Sequence, residues 1–150
     1  MNRTFFQIFL LGIALTVLAG NLPGTKKTIF HLGDKPVDSP FSAAIKAGDT
    51  LYISGQLPVD PATGAFLAGT MAEQAEREIQ NIEMLLKKAG MSLADVVSAT
   101  VYITDFGEFG EFNQVFRKFF PKDPPTRATV QVAKLARDAR IEISAIAVKE

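Results

Sequence analysis

The segment Ala139 to Val148 constrains this chain more than any other. Read as a strand, it places Ile141, Ile143, Ala145 and Ala147 on one side, and Ile146 and Val148 on the other, beyond Glu142 and Ser144. A strand that is apolar on both sides needs cover on both. The rest of the chain offers two helical patterns, enough for one face of a sheet. The second face is therefore expected to meet another copy of the chain in an obligate oligomer.

The first helix is marked at both ends. Thr70-Met71-Ala72-Glu73 is a capping box, in which hydroxyl and carboxylate each satisfy a backbone amide of the opening turn. Ala75, Ile79, Ile82, Leu86 and Ala89 follow as one apolar stripe, and Gly90 ends it. Glu73, Glu76 and Glu78 near the start and Lys87 and Lys88 in the last turn suit the helix dipole and are read as a solvated face. The second helix, Glu108 to Phe120, carries Phe109, Phe112, Phe116 and Phe119 at helical spacing, and Pro121, Pro124 and Pro125 stop it. These phenylalanines read as core, because Glu108 and Glu111 flank them where a nucleobase platform would have basic neighbours.

Strands are expected at 28–32, 43–47, 51–55, 95–104 and 127–132, besides the last one. Lys46 to Thr50 and Asp60 to Gly64 read as turns by composition, and Lys134 to Arg140 as a basic turn. The order strands, helix, strand, helix, strands gives an α+β domain over residues 28–150.

Charge and composition exclude several functions. Sixteen basic residues balance sixteen acidic ones, which argues against a nucleic-acid partner. There is no cysteine, so there is no disulfide, thiolate nucleophile or thiolate metal ligand. The one histidine, His31, falls in the first expected strand without a Gly-x-Ser-x-Gly turn elsewhere, and reads as an ordinary strand residue.

The amino terminus reads as a secretory signal. Arg3 precedes an uncharged apolar run from Phe5 to Leu18, and Val17 and Ala19 are the small residues of a cleavage site. The run is short for a bilayer span, so a transient passage through the membrane is expected rather than an anchor. Asn21 stands where a lipoprotein would carry its cysteine, which excludes lipidation. The expected division is a signal peptide over 1–19, a linker over 20–27, and an exported domain.

Arg127 and Glu142 carry the chemical signal. Arg127 opens the alternating run Arg127-Ala128-Thr129-Val130, and Glu142 stands between Ile141 and Ile143. Burying either charge alone costs several kcal/mol. The expectation is that the two lie on neighbouring strands and either pair with each other or meet a charged ligand. A guanidinium fork can hold a carboxylate by two bonds, and a glutamate with a raised pKa can take and return a proton near neutrality.

Ser39-Pro40-Phe41-Ser42, Tyr52-Ile53-Ser54-Gly55-Gln56, the Asn113 helix ending Phe119-Phe120-Pro121, Pro124-Pro125-Thr126-Arg127 and Ile141-Glu142-Ile143 occur in this order. Together they resemble the RidA/YjgF family of enamine and imine deaminases, from about Thr28 to Val148. The resemblance implies a chorismate-mutase-like α+β fold, a homotrimer, and sites in the clefts between subunits. It also implies hydrolysis of 2-imino acids to 2-oxo acids and ammonia without metal or organic cofactor. In that reading Arg127 clamps the substrate carboxylate, Glu142 positions the attacking water, and Ser54, Gly55, Phe41, Asn113 and Thr129 line the substrate. The plain alternatives are a backbone-satisfied hydroxyl for Ser54 and a surface amide for Asn113.

Two positions depart from the family pattern. Phe41 stands where many deaminating members have tyrosine, and Thr129 where cysteine is frequent. The competing functions are a non-catalytic trimer that binds small carboxylates, and the chaperone-like or RNA-cleaving roles of relatives.

Overall fold

The computed structural model describes residues 26–33 and 39–149. The expected signal peptide and most of the linker lie outside the described residues. Six strands and two helices follow one another as β1 (Lys27–Phe30), β2 (Ala44–Ala47), β3 (Thr50–Gln56), α1 (Met71–Lys88), β4 (Val96–Ile103), α2 (Phe109–Phe119), β5 (Thr126–Gln131) and β6 (Ile141–Val148). They form one mixed sheet in the order β1-β2-β3-β6-β4-β5. Only β4 and β5 are parallel, joined through α2 as a parallel pair requires.

The expected local signals are present. Glu73 N donates to Thr70 Oγ1 at 3.3 Å, and Thr70 N donates to Glu73 Oε2 at 2.8 Å, closing the capping box. Gly90 stops α1 at φ +73°, a conformation costly for a residue with a β-carbon. The β2–β3 hairpin closes where Ala47 faces Thr50, within the expected turn. Boundaries moved by a residue or two. β1 ends at Phe30, so His31 lies beyond the strand instead of inside it. β6 begins at Ile141 because Ala136–Asp138 forms a tight turn.

Both helices lie on one face of the sheet. Ile141, Ile143, Ala145 and Ala147 of β6 are buried beneath them, together with Leu51, Ile53, Val101 and Ile103 from neighbouring strands. α1 adds Met71, Ile79, Leu85 and Leu86, and α2 adds Phe112. The opposite face is open, and it displays Tyr52, Val130, Ile146 and Val148. This matches the split of β6 into a covered and an uncovered apolar row.

Candidate active site

Arg127 sits on β5, the strand at one edge of the sheet, in register with Ala99 of β4, which in turn pairs with the buried Ala145 of β6. Partners in register share a face, so Arg127 points to the helix side. There its guanidinium carbon lies 4.6, 5.0 and 5.7 Å from the ring centres of Phe116, Phe112 and Phe109. Such contacts hold a cation by the ring quadrupole. Its Nη2 donates to Asn113 Oδ1 at 2.7 Å. Asn113 is thus no idle surface amide, because it fixes the plane of the guanidinium. Burial, and after it the charge of Arg117, lowers the Arg127 pKa, yet an arginine stays cationic at any working pH. Arg127, Asn113, Phe109 and Phe116 line a groove of 480 Å³ between α2 and the β5 edge. Thr129, two residues along the same row, is inward-facing, and its Oγ1 is buried without a hydrogen-bond partner among the described residues.

Glu142 belongs to a different place. It is in register with Tyr102, three residues from Ala99 along β4, and therefore projects from the open face. Its carboxylate folds over Gly55, where a β-carbon would clash with Oε1 and lie 2.8 Å from the carboxyl carbon. Glycine here is a steric requirement of that contact. The β3–β6 register also breaks between Ile53 and Gln56, a bulge centred on Ser54 and Gly55. Partial burial raises the Glu142 pKa above the ordinary glutamate value.

Gly55 forms one wall of a 220 Å³ pocket with His31, Ser39, Phe41, Gln56 and Val59. Phe41 stands at its mouth and is 65 % exposed. Ser54 Oγ donates to Ser42 O at 2.8 Å, and Ser54 N to Ala43 O at 3.0 Å, so Ser54 tethers the segment that carries Phe41. Its hydroxyl hydrogen is therefore spent on the backbone.

The expectation of neighbouring strands for Arg127 and Glu142 is corrected. β4 lies between β5 and β6, and the two side chains leave the sheet on opposite faces. Each charge has its own setting, and no ion pair joins them among the described residues. The chain thus carries two separate clusters of candidate site residues. The first holds Arg127, Asn113 and Thr129; the second holds Glu142, Gly55, Ser54 and Phe41.

Two side chains of α1 also differ from the solvated face expected of them. Lys88 Nζ donates to the carbonyls of His31, Leu32 and Gly33 at 3.0, 3.1 and 2.8 Å, pinning one wall of the pocket. Glu78 is completely buried. The signal for it was available, since Glu78 is three residues after Ala75 and four before Ile82, within the apolar stripe.

With this geometry in view, the relatives of the chain are informative. The family model described as Endoribonuclease L-PSP matches residues 33–149. A RutC family protein of Pyrococcus abyssi is 43 % identical over 126 residues, covering 83 % of this chain and 98 % of the relative. A 2-iminobutanoate/2-iminopropanoate deaminase of Bos taurus is 44 % identical over 110 residues, covering 73 % and 80 %. Among solved structures, RidA from a Psychrobacter species superposes with a TM-score of 0.75 at 38 % identity, covering 81 % of this chain and 98 % of that one. E. coli TdcF with bound serine superposes with a TM-score of 0.76 at 35 % identity, covering 83 % and 100 %. The chain belongs to the Endoribonuclease L-PSP family, which includes the RutC and RidA proteins, and its α+β fold is that of the RidA-like structures.

Proposed function

We propose that this protein hydrolyses 2-imino acids, with their enamine tautomers, to 2-oxo acids and ammonia at clefts between copies of itself. The observation that carries the reading is the division of the site. A fixed guanidinium and a carboxylate of raised pKa sit on opposite faces of one sheet, so a cleft holding both takes one from each of two subunits. The open face, with Tyr52, Val130, Ile146 and Val148 uncovered, supplies the surface for that assembly, and a closed trimer is the arrangement we infer. Deaminase relatives at 44 % identity support the reaction class, and a TdcF structure holding serine supports a ligand that carries a carboxylate.

In the reaction, Arg127 takes the substrate carboxylate by two parallel N–H···O bonds. Glu142 accepts a proton from water as the oxygen adds to the imine carbon, giving a carbinolamine. That proton goes to the nitrogen to complete the carbinolamine; Glu142 then takes the hydroxyl proton and hands it to the nitrogen as the C=O bond forms, the C–N bond breaks and ammonia leaves. Water and imine are consumed and oxo acid and ammonia formed, with no net proton kept by the protein. Such proton transfer is typically worth ~10²–10⁴-fold in rate. Phe41 at the pocket mouth in place of tyrosine favours apolar substrate side chains. Balanced charge argues against RNA cleavage as the principal activity.

Export belongs to the same reading, on the strength of the Phe5–Leu18 segment alone. Mass spectrometry of the native protein tests it, with loss of residues 1 to 19 as the expected result. The activity is tested by generating imines with an amino-acid oxidase and trapping them with semicarbazide. The protein should lower the trapped fraction in proportion to its concentration; an unchanged fraction leaves the carboxylate-binding alternative.

A further inference from the structure

Glu78 has no part in the mechanism above, yet it is the most unusual side chain of the core. It is 0 % exposed, and neither carboxyl oxygen has a hydrogen-bond partner among the described residues. An ionised carboxylate buried without a partner is costly enough that the group keeps its proton.

Its neighbours on α1 locate it. Gln74, four residues earlier, accepts from Arg140 N at 2.8 Å, two residues ahead of Glu142. Asn81, three residues later, donates to Leu57 O at 3.3 Å and Val59 O at 3.0 Å, and Leu57 is two residues past Gly55. Glu78 is therefore bracketed beneath the part of β3 and β6 where Gly55 meets Glu142. That point is the bulge, and the residue filling it has no side chain. Glu142 lies over the outer side of the same glycine. Two carboxyls thus approach one thin spot in the sheet from its two sides.

We propose that Glu78 is a positioning residue for this site, a proton-holding carboxyl that acts through Glu142 across the Gly55 bulge and confines the pair's single negative charge to Glu142. The proposal rests on the reading of Glu142 as the proton acceptor. Electrostatics points the same way, because after burial it is the charge of Glu142 that pushes the Glu78 pKa well up. The surroundings leave little else to compete. α1 contributes the neutral Gln74 and Asn81, and β3 the neutral Gln56, all buried. Arg140 turns away to Glu108 at 2.6 Å, and Glu111, Arg117 and Lys118 of α2 face solvent. His31 lines the pocket beyond Gly55. Interacting carboxyls titrate as a pair, and over the interval between their two steps the pair carries one proton. In that interval the negative charge stands on Glu142, beside Gly55. Above it, a second charge behind Glu142 opposes the arrival of an anionic substrate, so the loss falls on KM.

The test uses carboxyl-labelled glutamate and NMR titration of the full folded protein, in the parent, Glu78→Gln and Glu142→Gln. The proposal expects the Glu78 midpoint to fall when Glu142 is neutralised, and the high-pH step of the Glu142 resonance to vanish in Glu78→Gln. Kinetics on imines should show the high-pH rise in KM lost in Glu78→Gln. Should Glu78→Gln fold poorly, the Glu142→Gln titration decides alone. A Glu78 midpoint indifferent to Glu142 overturns the proposal. Absence of turnover in every protein, parent included, counts against the imine reading, while the titration still decides the pair.

Discussion

Arg127 and Glu142, fifteen residues apart in the chain, leave the sheet on opposite faces with β4 between them. Each is set up separately. Asn113 and three phenylalanines hold the guanidinium, and Gly55 makes room for the carboxylate. Within one chain neither charge balances the other, so neither is half of an ion pair inside the subunit.

Replacing Arg127 with lysine tests the clamp. The charge is kept, but the planar fork and its stacking on Phe116, Phe112 and Phe109 are lost. We expect a folded protein that loses ~2–4 kcal/mol of transition-state stabilisation, or about 30- to 10³-fold in kcat/KM. Parental kinetics in the lysine variant would return Arg127 to a packing role.

Gly55→Ala tests the contact that places Glu142. The clashing atoms are the far end of a flexible side chain, so the fold should survive with a displaced carboxylate. Misplacing a reacting group by about 1 Å can cost on the order of 10²-fold, and a loss of that size in kcat is expected at nearly parental thermal stability. Full activity in this variant would mean that the observed position of Glu142 is not the working one.

The acid side of the pH–rate profile should follow Glu142. Burial raises its pKa above the ordinary glutamate value, and its basic form is the one the proposed reaction uses. Activity should therefore fall with decreasing pH at a midpoint above the ordinary glutamate range, and this limb should be absent from any residual rate of Glu142→Gln. An acid limb that survives the substitution belongs to another group.

Glu78 makes a prediction about stability with a definite sign. Its folded pKa lies well above 4.5, so above the unfolded value the native state binds more protons than the unfolded chain. Its contribution is complete below the unfolded pKa and is lost as pH rises towards the folded one. Glu78→Gln should accordingly be more stable than the parent at neutral pH, with the gap closing as pH falls through the ordinary glutamate range. A gap that widens on acidification would show that Glu78 is ionised and paired in the native protein.

Much of the fold was legible because its signals are local. The Thr70–Glu73 box, the stripe from Ala75 to Ala89 and the two-sided pattern of Ile141 to Val148 each depend on residues close in sequence, and each reappears in space. Strand order is not local. Nothing in the run from Arg127 to Val148 says that β4 slips between β5 and β6, so the expectation of neighbouring strands for Arg127 and Glu142 misses the intervening strand and the opposite faces. The burial of Glu78 follows from its position in the stripe, which its charge masks in the sequence. Of the α2 phenylalanines expected in the core, Phe112 and Phe116 are buried while Phe109 and Phe119 are half-buried against them, and the service of Phe109, Phe112 and Phe116 to Arg127 depends on a contact between elements that the parallel β4–β5 crossover creates.

The most direct measurement is complementation between inactive partners. Arg127→Ala and Glu142→Gln, each purified inactive, are mixed, dissociated and reassembled together. If a cleft takes Arg127 from one subunit and Glu142 from the next, random mixing at equal amounts restores about a quarter of the clefts, and activity returns to roughly that fraction of the parent. If both residues serve from the same subunit, every cleft still lacks one of them. A reassembled mixture as inactive as its components, with trimers confirmed by light scattering, would contradict the shared site.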